Sequence, residues 1–210
     1  MIKIDFHIHS VYSKDSLTKL NTLHKVFNKR NLFPVITDHN TIQGAAKFKQ
    51  LYGECIVGEE IMTRDGEIIG LFLHDEIKPG LSAIETVEKI REQDGIVYIP
   101  HPFDKFRHNL KILNIKPDII EVYNPRVISQ KHNLLAEQFA EKNNILKATG
   151  SDSHFSWHIG SCHTIIEDFN DKKELLKNLK KAKLIKKPTP AYAFVLTGIV
   201  QRSKFLFNRF

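Results

Sequence analysis

Two histidines one residue apart, His7 and His9, close a short alternating run, Ile4-Asp5-Phe6. On a β-strand residues i and i+2 point to the same face, so both imidazoles aim at one spot and can offer nitrogen donors to a metal ion. Taken alone, the pair reads equally as two surface histidines at a strand end. The rest of the chain has to decide. Asp15, His39, Glu60, His101, Asp152 and His154 each fall at or just after the end of a run whose pattern predicts a strand. Glu59 competes with Glu60, because alternation lets only one of two neighbours face a common centre. A single zinc takes about four ligands, so eight donors point to two or three divalent ions. Mixed imidazole and carboxylate ligation suits zinc, manganese or iron better than calcium or magnesium. The two cysteines, Cys55 and Cys162, are too few for a zinc motif of paired thiolates or for a disulfide framework.

The elements that would position these residues alternate between strand and helix. Strands are expected at residues 4–10, 33–37, 55–61, 68–73, 96–99, 118–123 and 145–149. Helices are expected from Ser16-Leu17 onward, at 41–51, at 82–93 with Ile84, Val87 and Ile90 inward, at 129–143 and near 171–183. Asp65-Gly66 between two apolar runs predicts a hairpin. Such alternation argues for an α/β architecture with largely parallel strands, in which active sites gather at the C-terminal strand ends.

At 210 residues and 41% hydrophobic composition the chain supports one core. It shows neither a secretory leader nor a run of about 18 apolar residues, so a soluble, cytoplasmic protein away from membranes is expected. The formal charge is +7, with eight lysines between Lys172 and Lys187. That surplus is either a solvated helix face and tail or a contact for phosphate-rich ligands such as a short nucleic acid.

The ordered motifs His7-x-His9-Ser10, Asp15, Thr37-Asp38-His39, Gly58-Glu59-Glu60, His101-Pro102 and Gly150-Ser151-Asp152-Ser153-His154 resemble those of the PHP (polymerase and histidinol phosphatase) phosphoesterases, in their short stand-alone form, over residues 1–167. The resemblance implies a distorted (β/α)7 barrel over residues 1–185, followed by a basic C-terminal extension, 186–210. It also implies a two- or three-metal centre. His7, His9, Glu60 and Asp152 would hold one ion, Glu60 and His101 a second with Glu60 bridging, and Asp15, His39 and His154 a third. Glu60 is preferred to Glu59 because the family places its glutamate two residues after the glycine. One departure stands out: some members supply another histidine to the second ion shortly after the strand containing Glu121, and here no histidine precedes His132.

The implied activity is hydrolysis of a phosphate ester by metal-activated hydroxide without a covalent intermediate, with Asp152, His154 and Glu60 at the reacting centre. Arg107, Arg126 and His158 are the candidate substrate contacts, the arginines because a guanidinium grips phosphate bidentately. Asp38 is placed to orient His39 or another ligand, while His24, His74, His108 and His163 are expected to be structural or surface residues. A small phosphomonoester such as a nucleotide or sugar phosphate is the leading substrate class, and a short-oligonucleotide 5'-3' exonuclease is the alternative. A non-catalytic metal-binding module and a metal-dependent amidohydrolase are the remaining readings.

Overall fold

The computed structural model describes residues 1–104, 114–127 and 129–188. In chain order the elements are β1 (Ile2–Ile4), α1 (Leu20–Arg30), β2 (Leu32–Phe33), β3 (Val35–His39), α2 (Gln43–Tyr52), β4 (Ile56–Met62), β5 (Glu67–Leu71), α3 (Ala83–Glu92), β6 (Ile96–Ile99), β7 (Ile119–Tyr123), α4 (Gln130–Lys142), β8 (Leu146–Thr149), β9 (His163–Ile166), α5 (Lys172–Leu179) and β10 (Lys183–Ile185). They form a mixed α/β fold with one sheet ordered β3-β4-β5-β6-β7-β8 and a second ordered β10-β9-β1-β2.

The strands are less parallel than the alternation predicts. β5 runs antiparallel to both β4 and β6, and β9 is antiparallel to β1 and β10. Nor do the ladders among the described residues close into a barrel. The chain passes from one sheet to the other at Pro34, which separates β2 from β3 and, lacking an N–H, cannot donate to a ladder. Residues 6–9 lie between the two edges of the larger sheet through isolated bonds: Phe6 N donates to Thr149 O (3.3 Å), Thr37 N to Ile8 O (2.9 Å) and His9 N to Ser153 O (2.9 Å). Side chains take the place of a ladder here, since Ile8 N donates to Thr37 Oγ1 and Ser10 N to Asp38 Oδ1.

Successive strand residues feed two cores. Ile119 joins a cluster with Ile4, Val35, Ile56 and Ile96, whereas Ile120 joins one with Ile36, Val57 and Val97 beneath the helices. Burial on both faces is why β6 reads as a continuous apolar run, and why β7 is apolar except at Glu121. α1 starts at Leu20 instead of Ser16 because the Ser16 hydroxyl donates to His9 O and His154 O. α3 begins with a reciprocal cap in which Ser82 Oγ accepts from Glu85 N and Glu85 Oε2 accepts from Ser82 N. Its buried face is Ala83, Thr86 and Ile90, and Ile84 is 55% exposed, contrary to the expected inward position. No helix among the described residues is long and apolar enough to cross a membrane.

Candidate metal centre

All eight donors singled out by type and spacing converge at one end of the larger sheet. Glu60, on β4, is the hub. Its Oε2 lies 3.2 Å from His7 Nε2, 3.3 Å from His9 Nε2 and 3.0 Å from His39 Nδ1, and its Oε1 lies 3.2 Å from His101 Nε2. Asp152 Oδ1 faces the same pair of histidines, 3.4 Å from His9 Nε2 and 3.8 Å from His7 Nε2. Asp15 Oδ2 joins the remaining two, 3.3 Å from His39 Nε2 and 3.1 Å from His154 Nε2. Glu59 points away from this centre, its Oε2 accepting from Ile77 N. The alternation argument therefore separates it from Glu60 as expected.

The histidines do not sit on the β1 ladder, which ends at Ile4. They are held by partners behind them. His7 Nδ1 donates to Glu121 Oε1 (3.1 Å), leaving Nε2 toward the centre. The same Glu121 carboxylate accepts from Tyr98 Oη, from His101 N and from Asn124 Nδ2. His9 Nδ1 donates to Ser13 Oγ (3.2 Å), which donates to Asp38 Oδ1 (2.7 Å). Asp38 thus anchors the turn after His9, also accepting from Ser10 N and Ser10 Oγ, instead of meeting the His39 ring. Such carboxylate and hydroxyl partners fix the tautomer and aim of a ligand.

Electrostatics follow from burial and proximity. Burial opposes charge on His7, but Glu60, Asp152 and Glu121 hold its imidazole well above the usual range. Burial likewise opposes charge on Glu60, and His7, His39 and His101 keep its carboxyl well below the usual range. His9 is driven the other way by burial and by the neighbouring His154 and His39. It is thereby kept in the neutral form that ligates metals.

The donor set fits divalent ions. His7 Nε2, His9 Nε2 and Glu60 Oε2 are buried atoms that make no hydrogen bond, and such atoms are costly unless something else satisfies them. The ligand atoms form overlapping groups, among them His7, His9 and Glu60; His9, His39 and His154; and His7, His101 and Asp152. Two donors, His101 (φ 28) and Asp152 (φ 51), occupy the left-handed backbone region, the kind of local strain that clusters at functional sites.

Of the candidate substrate contacts, Arg126 is 8% exposed, with Nη1 donating to Asp152 O (2.9 Å) and lying against His154 Nδ1. His158 is buried nearby beside the Trp157 ring. Arg107 lies outside the described residues, as does most of the expected C-terminal extension. His24 stacks on Tyr52, in keeping with a structural role. Sequence reasoning passed over the supporting residues Ser13, Tyr98, Glu121 and Asn124, and one further carboxylate at the centre, Glu67, whose Oε2 is 3.5 Å from His101 Nε2. The signal for Glu121 was present, since a charged residue inside the run Ile119-Ile120-Glu121-Val122-Tyr123 has to find partners when buried.

A family model described as PHP-associated matches residues 130–184. The uncharacterized protein MJ0417 of Methanocaldococcus jannaschii is 39% identical over 181 residues, which cover 82% of this chain and 73% of that protein. A two-domain protein from Bacteroides vulgatus, containing a predicted PHP-like metal-dependent phosphoesterase, matches with a TM-score of 0.66 at 18% identity over 89% of this chain; the match spans 65% of its own length. A lesion-specific endonuclease from Pyrococcus furiosus matches with a TM-score of 0.63 at 18% identity, over 87% of this chain and 57% of its own. At these identities the two structures bear on the fold.

Proposed function

Because the chain belongs to the PHP domain family, we propose that it is a metal-dependent phosphoesterase that hydrolyses a small phosphomonoester, such as a nucleotide or sugar phosphate, at two or three manganese, zinc or iron ions. The observation that carries this reading is the meeting of His7, His9, Glu60 and Asp152 within 4 Å of one another, their side chains fully buried at the end of the sheet. When bound, the ions supply Lewis-acid stabilisation of the phosphoryl group and shift the ionisation of a coordinated water toward neutral pH.

The chain's own residues set the rest. Glu60 presents its two oxygens to different histidines, the arrangement a bridging ligand needs. Asp15, Glu60 and Asp152 crowd negative charge at one place, so an anionic substrate is repelled unless cations occupy the site. His39 and Asp15, with side chains 24% and 13% exposed, mark the open side by which substrate enters. Arg126 fixes the Asp152 backbone and places positive charge beside it. His158, held down to about 4 by burial and by Arg126, is neutral at pH 7 and offers a hydrogen bond to substrate.

The second reading, a short-oligonucleotide exonuclease on the same site, is favoured by the +7 charge. The test is elemental analysis of the purified protein together with hydrolysis of an aryl phosphate, an aryl phosphodiester, nucleoside monophosphates and a short labelled RNA. Two or three metal equivalents with monoester turnover are expected. Stepwise terminal cleavage of the RNA without monoester turnover moves the assignment to the exonuclease, and metal without turnover on any of the four supports a binding module.

A further inference from the structure

Exposed apolar side chains gather at the rim of the centre. Of the nine large apolar residues exposed among the described residues, Val11, Tyr12, Leu17 and Trp157 fall in the two segments that carry Asp15 and His154. Scattered exposed apolar residues are ordinary, whereas a group at one place marks a contact surface. The two segments lie together because Ser16 Oγ and Thr18 Oγ1 both donate to His154 O. Trp157 is the chain's single tryptophan and is 39% exposed. Its ring stacks on Phe155, with centroids 5.9 Å apart and planes 13° from parallel, and lies 5.4 Å from the His158 ring. His158 in turn is close enough to Arg126, Asp152 and His154 to feel their charge. A short path therefore leads from the metal donors, through Arg126 and His158, to an exposed aromatic ring.

The loop that carries this ring is fixed through its backbone. Arg30 Nη2 donates to Trp157 O (3.0 Å), and Phe155 O accepts from His158 N (3.0 Å) and Ser153 Oγ (2.8 Å). A ring held in place before binding loses little freedom when a ligand arrives. We propose that Trp157, backed by Phe155, is a stacking platform for the base of a nucleotide whose phosphate lies at the metal centre. This rests on the phosphoesterase reading above and narrows its substrate from any small phosphate ester to a nucleotide. A sugar phosphate offers no flat ring and leaves the platform unused. Every base has a π-face, so the platform holds a base without reading which one it is.

The test reads Trp157 fluorescence in the full chain with Zn2+ present, excited at the red edge where bases do not absorb. The probes are a nucleoside 5'-phosphonate, whose carbon-to-phosphorus bond resists hydrolysis, and ribose 5-phosphonate, which lacks the base. Saturable quenching by the first and none by the second is expected. In turnover, Trp157→Ala is expected to raise KM for a nucleoside monophosphate by about 5- to 150-fold, the range that stacking of a base on an aromatic ring spans on alanine substitution. It should leave KM for ribose 5-phosphate unchanged, and Trp157→Phe, which keeps a ring, should recover most of the loss. Both variants should melt close to wild type, since the side chain is partly in solvent. No quenching by the nucleoside phosphonate, or an equal rise in KM for both substrates, overturns the platform and leaves the phosphoesterase reading intact. A short RNA that quenches at lower concentration than the nucleoside phosphonate overturns the choice of a free nucleotide in favour of the terminal base of a strand. Base-dependent quenching without hydrolysis of any phosphate ester overturns the phosphoesterase reading and leaves the platform standing.

Discussion

Asp152 carries two constraints at once, a carboxylate aimed at His7 and His9 and a backbone held at φ 51. Asp and Asn tolerate the left-handed region, whereas Ala pays about 1–2 kcal/mol there. Asp152→Asn should therefore fold like wild type, lose metal affinity and reduce turnover by more than about 100-fold, a cost at least as large as that of losing a partner behind a ligand. Asp152→Ala should add a drop in stability. Urea melts of the stripped proteins separate the two effects, and equal turnover in Asp152→Asn and wild type contradicts the role given to Asp152. His158 makes a different prediction. Burial and Arg126 hold it down to about 4, against about 6.5 for an unfolded histidine. Between those values the unfolded chain carries a proton that the folded one lacks, so stability present above pH 6.5 is lost as pH falls toward 4. The full shift is worth about 3 kcal/mol at roughly 1.4 kcal/mol per pH unit. His158→Asn should lose less stability than wild type between pH 7 and pH 4.5. Parallel curves from chemical denaturation at the two pH values count against it.

At the scale of elements, the centre depends on how closely the end of β8 approaches residue 7. A Cβ placed on Gly150 would collide with Glu121 Oε1 and with His7 Cβ. Gly150→Ala should displace both, weaken metal binding and destabilise by about 1–3 kcal/mol, the usual range for an overpacked site. Ser82→Ala removes a helix cap on α3 and should cost about 1 kcal/mol while turnover stays as in wild type. Calorimetric melts and turnover of the two variants side by side distinguish damage at the centre from loss of stability alone. The same contrast shows what could be read from sequence. β6 was legible residue for residue because a compact apolar run ends at Pro100, and the convergence of the eight candidate donors could be anticipated from their types and their places at or after apolar runs. The reversal of β5 was visible as Asp65-Gly66, but its consequence for Glu67 needed the register, which no local pattern contains. Likewise Ser16 reads as a helix start, and only the folded chain shows its hydroxyl engaged by His9 O and His154 O.

For the molecule as a whole, the placement of charge bears on substrate size. α5 buries Leu175 and Leu179 in the cluster containing Ile4, Val35, Ile56 and Ile119. Val35, Ile56 and Ile119 are the first residues of β3, β4 and β7, whereas His39 and Glu60 lie at or near the far ends of β3 and β4. Lys172 pairs with Asp94, just before β6, while His101 follows the end of that strand. The lysines of α5 therefore belong to the end of the sheet away from the metal donors, and Lys186 is further engaged by Glu137. A small monoester bound among the donors should feel little of this charge, so its KM should change less than about threefold between 50 and 200 mM salt. An RNA gripped through three phosphates should weaken about 20-fold over the same range, from a slope of roughly 0.7 per phosphate on single strands. Measuring KM for a nucleoside monophosphate and binding of a short RNA across that range decides between the two. A steep RNA slope accompanied by terminal cleavage would shift the assignment to the nuclease and require the lysine-bearing end to reach the same strand as the metal centre.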